Sequence, residues 1–209
     1  MTTLLDVAHS AASIQLAYAR QGTSLASAAL AGAVSLEPFR HYPARDVKDA
    51  LNGTQFYYHA HTSRRRPAAE HGHFHLFVNG QNRSGTSACG TDFFHLAGLS
   101  IDAMGQSLRW FTTNRWVTGE QWRKADDIVQ ALHRFEVHAQ GRMSPVADWL
   151  SAMVRLFEKQ ITDLIYRRDE VMARHVDRLG REVAFEDRKL DVVTQCAISL
   201  PHRLRQLSL

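Results

Sequence analysis

Gln55 to Phe77 reads QFYYHAHTSRRRPAAEHGHFHLF and holds five of the twelve histidines in the chain. His59 and His61 are two apart, and so are His71, His73 and His75 in turn. Side chains two apart share a face of a β-strand, so each half reads as a strand with its imidazoles aligned. A polar loop containing Arg64, Arg65, Arg66 and Pro67 separates the halves. If the halves form a hairpin with His61 opposite His71, then His59 faces His73 and Tyr57 faces His75. All five imidazoles and the Tyr57 phenol then lie on one face. A slip of one residue would divide them between two faces, and the loop length allows either. Phe56, Tyr58, Phe74 and Leu76 fall on the opposite face, where they suit packing under helices, which favours the shared-face register.

Opposed residues in an antiparallel pair bring their Cβ atoms to about 4.5–5.5 Å. Three or four neutral imidazoles at that spacing can converge on one divalent transition metal ion, such as zinc, iron, copper or nickel. His59, His61, His73 and His75 are the expected ligands, with His71 next. Glu70 is the expected catalytic residue, completing a His/carboxylate set or handling a proton on metal-bound water. A metal-free polar pocket and a purely structural face stay open. A lone strand histidine is usually structural, but five alternating ones crowd together and repel on protonation. His95 lies in an apolar run and reads as a core histidine, with membership of the site left open.

Hydrophobic residues at 44% and charged residues at 22% fit a globular α+β chain and exclude a disordered one. At 209 residues the expectation is a single domain. It has a helical lead-in over 1–53, an antiparallel sheet of four or more strands over 54–116, and a helical C-terminal part over 117–209. In the lead-in, Thr3 and Asp6 open an alanine-rich helix to Arg20. A second helix follows from Ser24, and Pro43 starts a short helix that Gly53 caps. The third and fourth strands are 93–102 and 108–114, joined by a turn at Asp102–Gly105. Thr118-Gly-Glu-Gln121 reads as a capping box for a helix ending by Gly141. Ser144-Pro145 starts one long helix to Leu179, with a bend open at Arg168. A last amphipathic segment spans 186–198.

The net charge of +4 is spread, and no nucleic-acid-binding motif accompanies it, so no nucleic-acid partner is expected. Leu25 to Leu36 is too short for a membrane span, so no membrane partner is expected either. Two cysteines, Cys89 and Cys196, supply neither a disulfide framework nor a thiolate site, which points to a cytoplasmic setting. Tyr57, Arg64, Arg109, Asn114 and Arg115 are the candidate contacts for a small-molecule ligand. For Tyr57, Arg64 and the 109–115 run, packing, solvation and satisfied backbone groups are the ordinary alternatives. The functional expectation is a metal-dependent enzyme, a hydrolase or lyase with zinc or an oxygenase with iron. The alternatives are a non-catalytic metal handler or sensor, and a metal-free module that self-associates through its C-terminal helices.

HYPARDV at 41–47, FYYHAH at 56–61, EHGHFHLF at 70–77, HLAGLSID at 95–102 and RWFTTNRWVTGE at 109–120 together resemble a bacterial family of uncharacterised proteins. The resemblance implies that the histidine cluster, the TTNRWVTGE run and the sheet between them form one unit. It implies no chemistry.

Overall fold

The computed structural model describes residues 2–62, 67–80 and 93–208. Residues 63–66, with the arginine triplet and so Arg64, and 81–92, with Cys89, lie outside the described residues. The chain begins with α1 (Leu4–Arg20), opened by a reciprocal cap. The Thr3 hydroxyl accepts from the Asp6 N–H at 3.1 Å, and the Asp6 carboxylate accepts from the Thr3 N–H at 2.9 Å. A short α2 (Leu25–Ala29) is capped by Ser24. Both helices bury small residues, Ala8 and Ala11 from one and Ala26 and Ala29 from the other.

Six strands follow: β1 (Tyr42–Asp49), β2 (Thr54–His59), β3 (Gly72–Asn79), β4 (Phe93–Ile101), β5 (Ser107–Thr113) and, much later, β6 (Val192–Ala197). All neighbours pair antiparallel, and the strands lie in chain order across the sheet. The fold is α+β, with the sheet flanked by N-terminal and C-terminal helices. In the β2–β3 pair, His59 is opposite His73 and Tyr57 is opposite His75. That is the register in which the histidines share a face.

The turn from β4 to β5 closes as its residues require. Gly105 takes φ +80° and donates its N–H to the Asp102 carbonyl at 3.0 Å. The Asp102 carboxylate accepts from the N–H groups of Met104 and Gln106.

The sheet extends beyond 54–116 at both ends. Tyr42–Asp49 is an edge strand, not a helix started by Pro43, because Val47, Lys48 and Asp49 pair with Phe56, Gln55 and Thr54. The 186–198 segment contains β6, which pairs with β5 through Trp110↔Cys196 and Thr112↔Thr194. Its alternation is masked by a mixed edge: of Val192–Ala197 only Thr194 is buried, held by the Thr112 hydroxyl at 2.6 Å and the Leu164 carbonyl at 3.0 Å.

The helical part also departs from a simple reading. Thr118 ends a one-turn helix, α3 (Arg115–Thr118), which Gly119 closes at φ +64°. The next helix, α4 (Ala125–Leu132), starts later, where the Asp169 carboxylate accepts the Ala125 N–H at 2.7 Å. What reads as one long helix is α5 (Ser144–Leu156) and α6 (Glu158–Leu179), broken at Phe157, whose φ of −116° leaves the helical range. Arg168 is no break: it is buried in α6, paired with Asp169 and stacked 3.9 Å over the Trp122 ring. The short α7 (Arg181–Phe185) precedes β6, and α8 (Leu200–Leu207) follows it. Among the described residues no helix is long and apolar enough to cross a membrane.

The helix-covered face of the sheet carries Phe56, Tyr58, Phe74, Leu76, Leu99 and Trp110, all fully buried. Trp149 of α5 packs on Phe74, and α6 packs against β5 and β6. Leu99 sits in the middle of this layer, opposite Phe74 on one side and Trp110 on the other. Leu99→Ala is expected to cost about 2–5 kcal/mol, read as a lower urea midpoint with an unchanged slope; a loss below 1 kcal/mol would place the core elsewhere.

Candidate metal centre

The opposite face of β2 and β3 presents Tyr57, His59, His73, His75 and Phe77. From β4 and β5 it receives His95, Gly98, Ser100, Arg109, Phe111 and Thr113. One ring nitrogen from each of His59, His73 and His75 lies within 4.8 Å of the other two, and all three residues are buried. Among the described residues this is the one such group of metal-ligating side chains. The pleat supplies the convergence, since His73 and His75 are two apart on β3 and His59 faces His73 across the pair.

Hydrogen bonds fix which nitrogens point inward. Glu70, itself 4% exposed, receives His73 Nδ1 at 2.7 Å. A carboxylate only accepts, so His73 Nδ1 carries the proton and Nε2 keeps a lone pair. His73 Nε2 meets His59 Nε2 at 2.7 Å. On the third ligand, His75 Nδ1 lies 2.9 Å from His95 Nε2, and His95 Nδ1 lies 3.2 Å from the Thr113 hydroxyl. In the tautomer suited to a metal, Thr113 accepts from His95, His95 accepts from His75, and the lone pair of His75 Nε2 is left over. That atom is buried with no hydrogen-bond partner. The indole nitrogens of Trp110 and Trp149 are also unpartnered, but both sit in the helix-covered core, whereas His75 Nε2 lies among imidazoles. Tetrahedral zinc holds imidazole nitrogens at about 2.0–2.1 Å, hence roughly 3.3 Å from one another. The His59–His73 contact would open by about 0.6 Å, and wider separations within the 4.8 Å limit would close, to admit an ion.

The electrostatics favour neutral ligands. Burial, reinforced by the neighbouring His73, His61 and His41, drives the His59 pKa down to about 2. Burial and His95 hold His75 well below the ordinary histidine range. Burial and the Arg168 charge take His95 to about 3. Neutral imidazole is the form that binds a metal.

Both oxygens of Glu70 are engaged. Burial raises its pKa, but bonds from His73 and Ser100 and the Arg109 charge overcome that and set it at about 2. One oxygen takes His73; the other takes the Ser100 hydroxyl at 2.7 Å and Arg109 Nη2 at 3.2 Å. A carboxylate so occupied orients the histidine behind which it stands.

The other expected site residues separate. His61 flanks the triad, its ring centre 5.2 Å from that of His59 and 5.1 Å from that of His73, and stacks on Phe39. His71 precedes β3, and its Nδ1 pairs with the Tyr58 hydroxyl at 2.8 Å, so it does not join the triad. Tyr57 shares the triad's face but is stacked on His41 at 3.7 Å. Asn114 is fully buried and caps α3, with its amide on the Ala184 carbonyl. Arg115 pairs with Glu186. Arg109 alone of these three stands beside the triad.

Four positions carry the site without standing out in the sequence. Ser100 anchors Glu70. Phe111 sets its ring edge-on to His73 and His75 at 5.4 and 5.7 Å, which requires Gly98, where a Cβ would lie 2.2 Å from that ring. Glu120 accepts the His95 backbone N–H and is buried with its second oxygen unpartnered; burial pushes its pKa up to about 7. Their strand pairings, and the fold that brings 120 beside 95, are tertiary facts.

A scan of family models matches residues 5–198. The chain belongs to the family described as a domain of unknown function, DUF6969. No curated protein matches it, and neither does any solved structure. In this chain the triad is therefore defined by geometry alone.

The buried imidazoles make this DUF6969 chain acid-sensitive. Each of His59, His75 and His95 binds a proton more readily unfolded than folded below pH 6.5, so stability is complete above that pH. It falls by about 1 kcal/mol per pH unit per imidazole on acidification. Glu120 acts oppositely: its raised pKa adds stability below pH 4.5 that is lost as the pH rises through 7. Metal-free protein should lose thermal stability from pH 7 to 5, and Glu120→Gln should raise the midpoint at pH 8 while steepening the acid loss. A flat profile between pH 5 and 7 would contradict the buried neutral triad.

Proposed function

We propose that this protein is a metal-dependent enzyme whose ion is held by Nε2 of His59, His73 and His75. One observation carries the reading: three buried imidazoles converge while the outer nitrogens of two of them are locked, by Glu70 and by His95. Carboxylate–histidine pairs of this kind orient metal ligands and raise their basicity. Three neutral nitrogens suit zinc, iron or copper and leave at least one coordination position for water or substrate.

Burial favours an enzyme over an ion handler. A site that loads and releases ions is shallow and exposed, whereas these ligands are 8% exposed or less. A small cavity bordered by His73 and His75 lies beside them. In this reading Glu70 positions His73, His95 positions His75, and the metal supplies the Lewis acid or activated water for a small-molecule substrate.

Elemental analysis of untagged protein tests the assignment. One equivalent of a transition metal is expected in the wild type and none in His73→Ala or His75→Ala. Glu70→Gln should keep the fold and bind the same metal 10–100-fold more weakly. Wild-type protein that holds no metal and takes up none on reconstitution would end the proposal.

A further inference from the structure

The cavity beside the triad has a shape and a charge that select its occupant, given the metal reading above. It measures roughly 70 Å³. That holds about two waters at about 30 Å³ each, or one molecule of a few heavy atoms. His73 and His75 form one wall, Glu70, Arg109 and Asp191 contribute the charges, and Val117 and Val192 supply apolar surface. Phe111 also lines it, with the Arg109 guanidinium 5.4 Å from its ring centre.

Charge balance narrows the choice. Three neutral imidazoles leave both positive charges of a divalent ion uncompensated by its protein ligands. Among the described residues two buried carboxylates stand near the triad: Glu70 is paired with Arg109, so those two cancel, and Glu120 lies behind His95 with its pKa lifted to about 7. The half-buried Asp191 offsets part of the ion's charge, and a monoanion at the open position would offset more of it. Arg109 places Nε on Ser100, Nη2 on Glu70 and Nη1 on Gln195. Of its five N–H groups two are left, enough for a planar oxyanion.

We propose that the open coordination position accepts a small monoanion of the carboxylate class, held between the metal and Arg109, with Phe111 limiting its size. A formate- or acetate-sized group fits; a dianion meets Asp191, and a bulky acid meets Phe111. The substrate of this enzyme would then be a short carboxylic acid, or a molecule that becomes one at the metal.

Cobalt(II) loading gives a readout that needs no known reaction, because the visible bands of the ion report its ligands. Cobalt-loaded protein titrated with sodium formate and sodium acetate should change its spectrum saturably, whereas sulfate, benzoate and neutral formamide should not. Arg109→Leu should weaken formate binding at least tenfold, with Arg109→Lys recovering part of it. Asp191→Asn, which leaves the Glu70 network intact, should tighten it several-fold. Cobalt bound with a spectrum that formate and acetate do not move would overturn this inference while sparing the metal centre. So would formate binding equally to the wild type and both the Leu and Asn variants. A protein that takes up no cobalt would remove the metal centre itself, and this inference with it.

Discussion

The pairing of His59 with His73 across β2 and β3 is the constraint on which the rest of the structure depends. It places Phe56, Tyr58, Phe74 and Leu76 under the helices and three imidazoles on the other side at once. The two outcomes cannot be separated, because a slip by one residue turns both strands over. The core that stabilises the sheet therefore also enforces the site. Tyr58 tightens this further: a Cβ at Gly72 would fall 2.6 Å from its ring, so the start of β3 is seated against the partner strand.

Burying so many titratable groups is unfavourable unless each is neutral or paired. His59, His75 and His95 take the first course, with pKa values driven down, and Glu70 takes the second by recruiting His73, Ser100 and Arg109. Glu120 sits between, with one oxygen satisfied and its pKa lifted towards neutrality. Polar networks of this depth specify geometry more than they add stability. Here that geometry holds two imidazole rings from behind and turns their inner nitrogens into the cluster, that of His73 onto His59 and that of His75 with no partner. Rigid support behind the ligands is what a metal site on a strand scaffold requires.

The α+β class, four of the six strands and the shared histidine face were legible because period-two alternation survives in Gln55–His59 and His71–Val78. The edge strands were hidden for physical reasons. β1 begins at Tyr42-Pro43, where proline resembles a helix start, and β6 alternates little because only Thr194 is buried. The break at Phe157 was invisible because the apolar stripe of α5 and α6 runs through it in phase. At the site, His59, His73 and His75 follow from the strand pattern, whereas His71 departs because it lies just before β3 and finds Tyr58. The roles of Glu120 and Ser100 depend on partners 25 and 30 residues away in the chain, and that of Gly98 on Phe111 in the next strand, which no local spacing encodes.

X-ray absorption at the metal edge of the reconstituted protein tests the central claim most directly. A first shell containing three imidazole nitrogens, with the multiple-scattering pattern of histidine, is the result expected from the convergence of His59, His73 and His75. A shell of oxygen or sulfur ligands, or one with a single imidazole, would contradict it and return these histidines to a structural role.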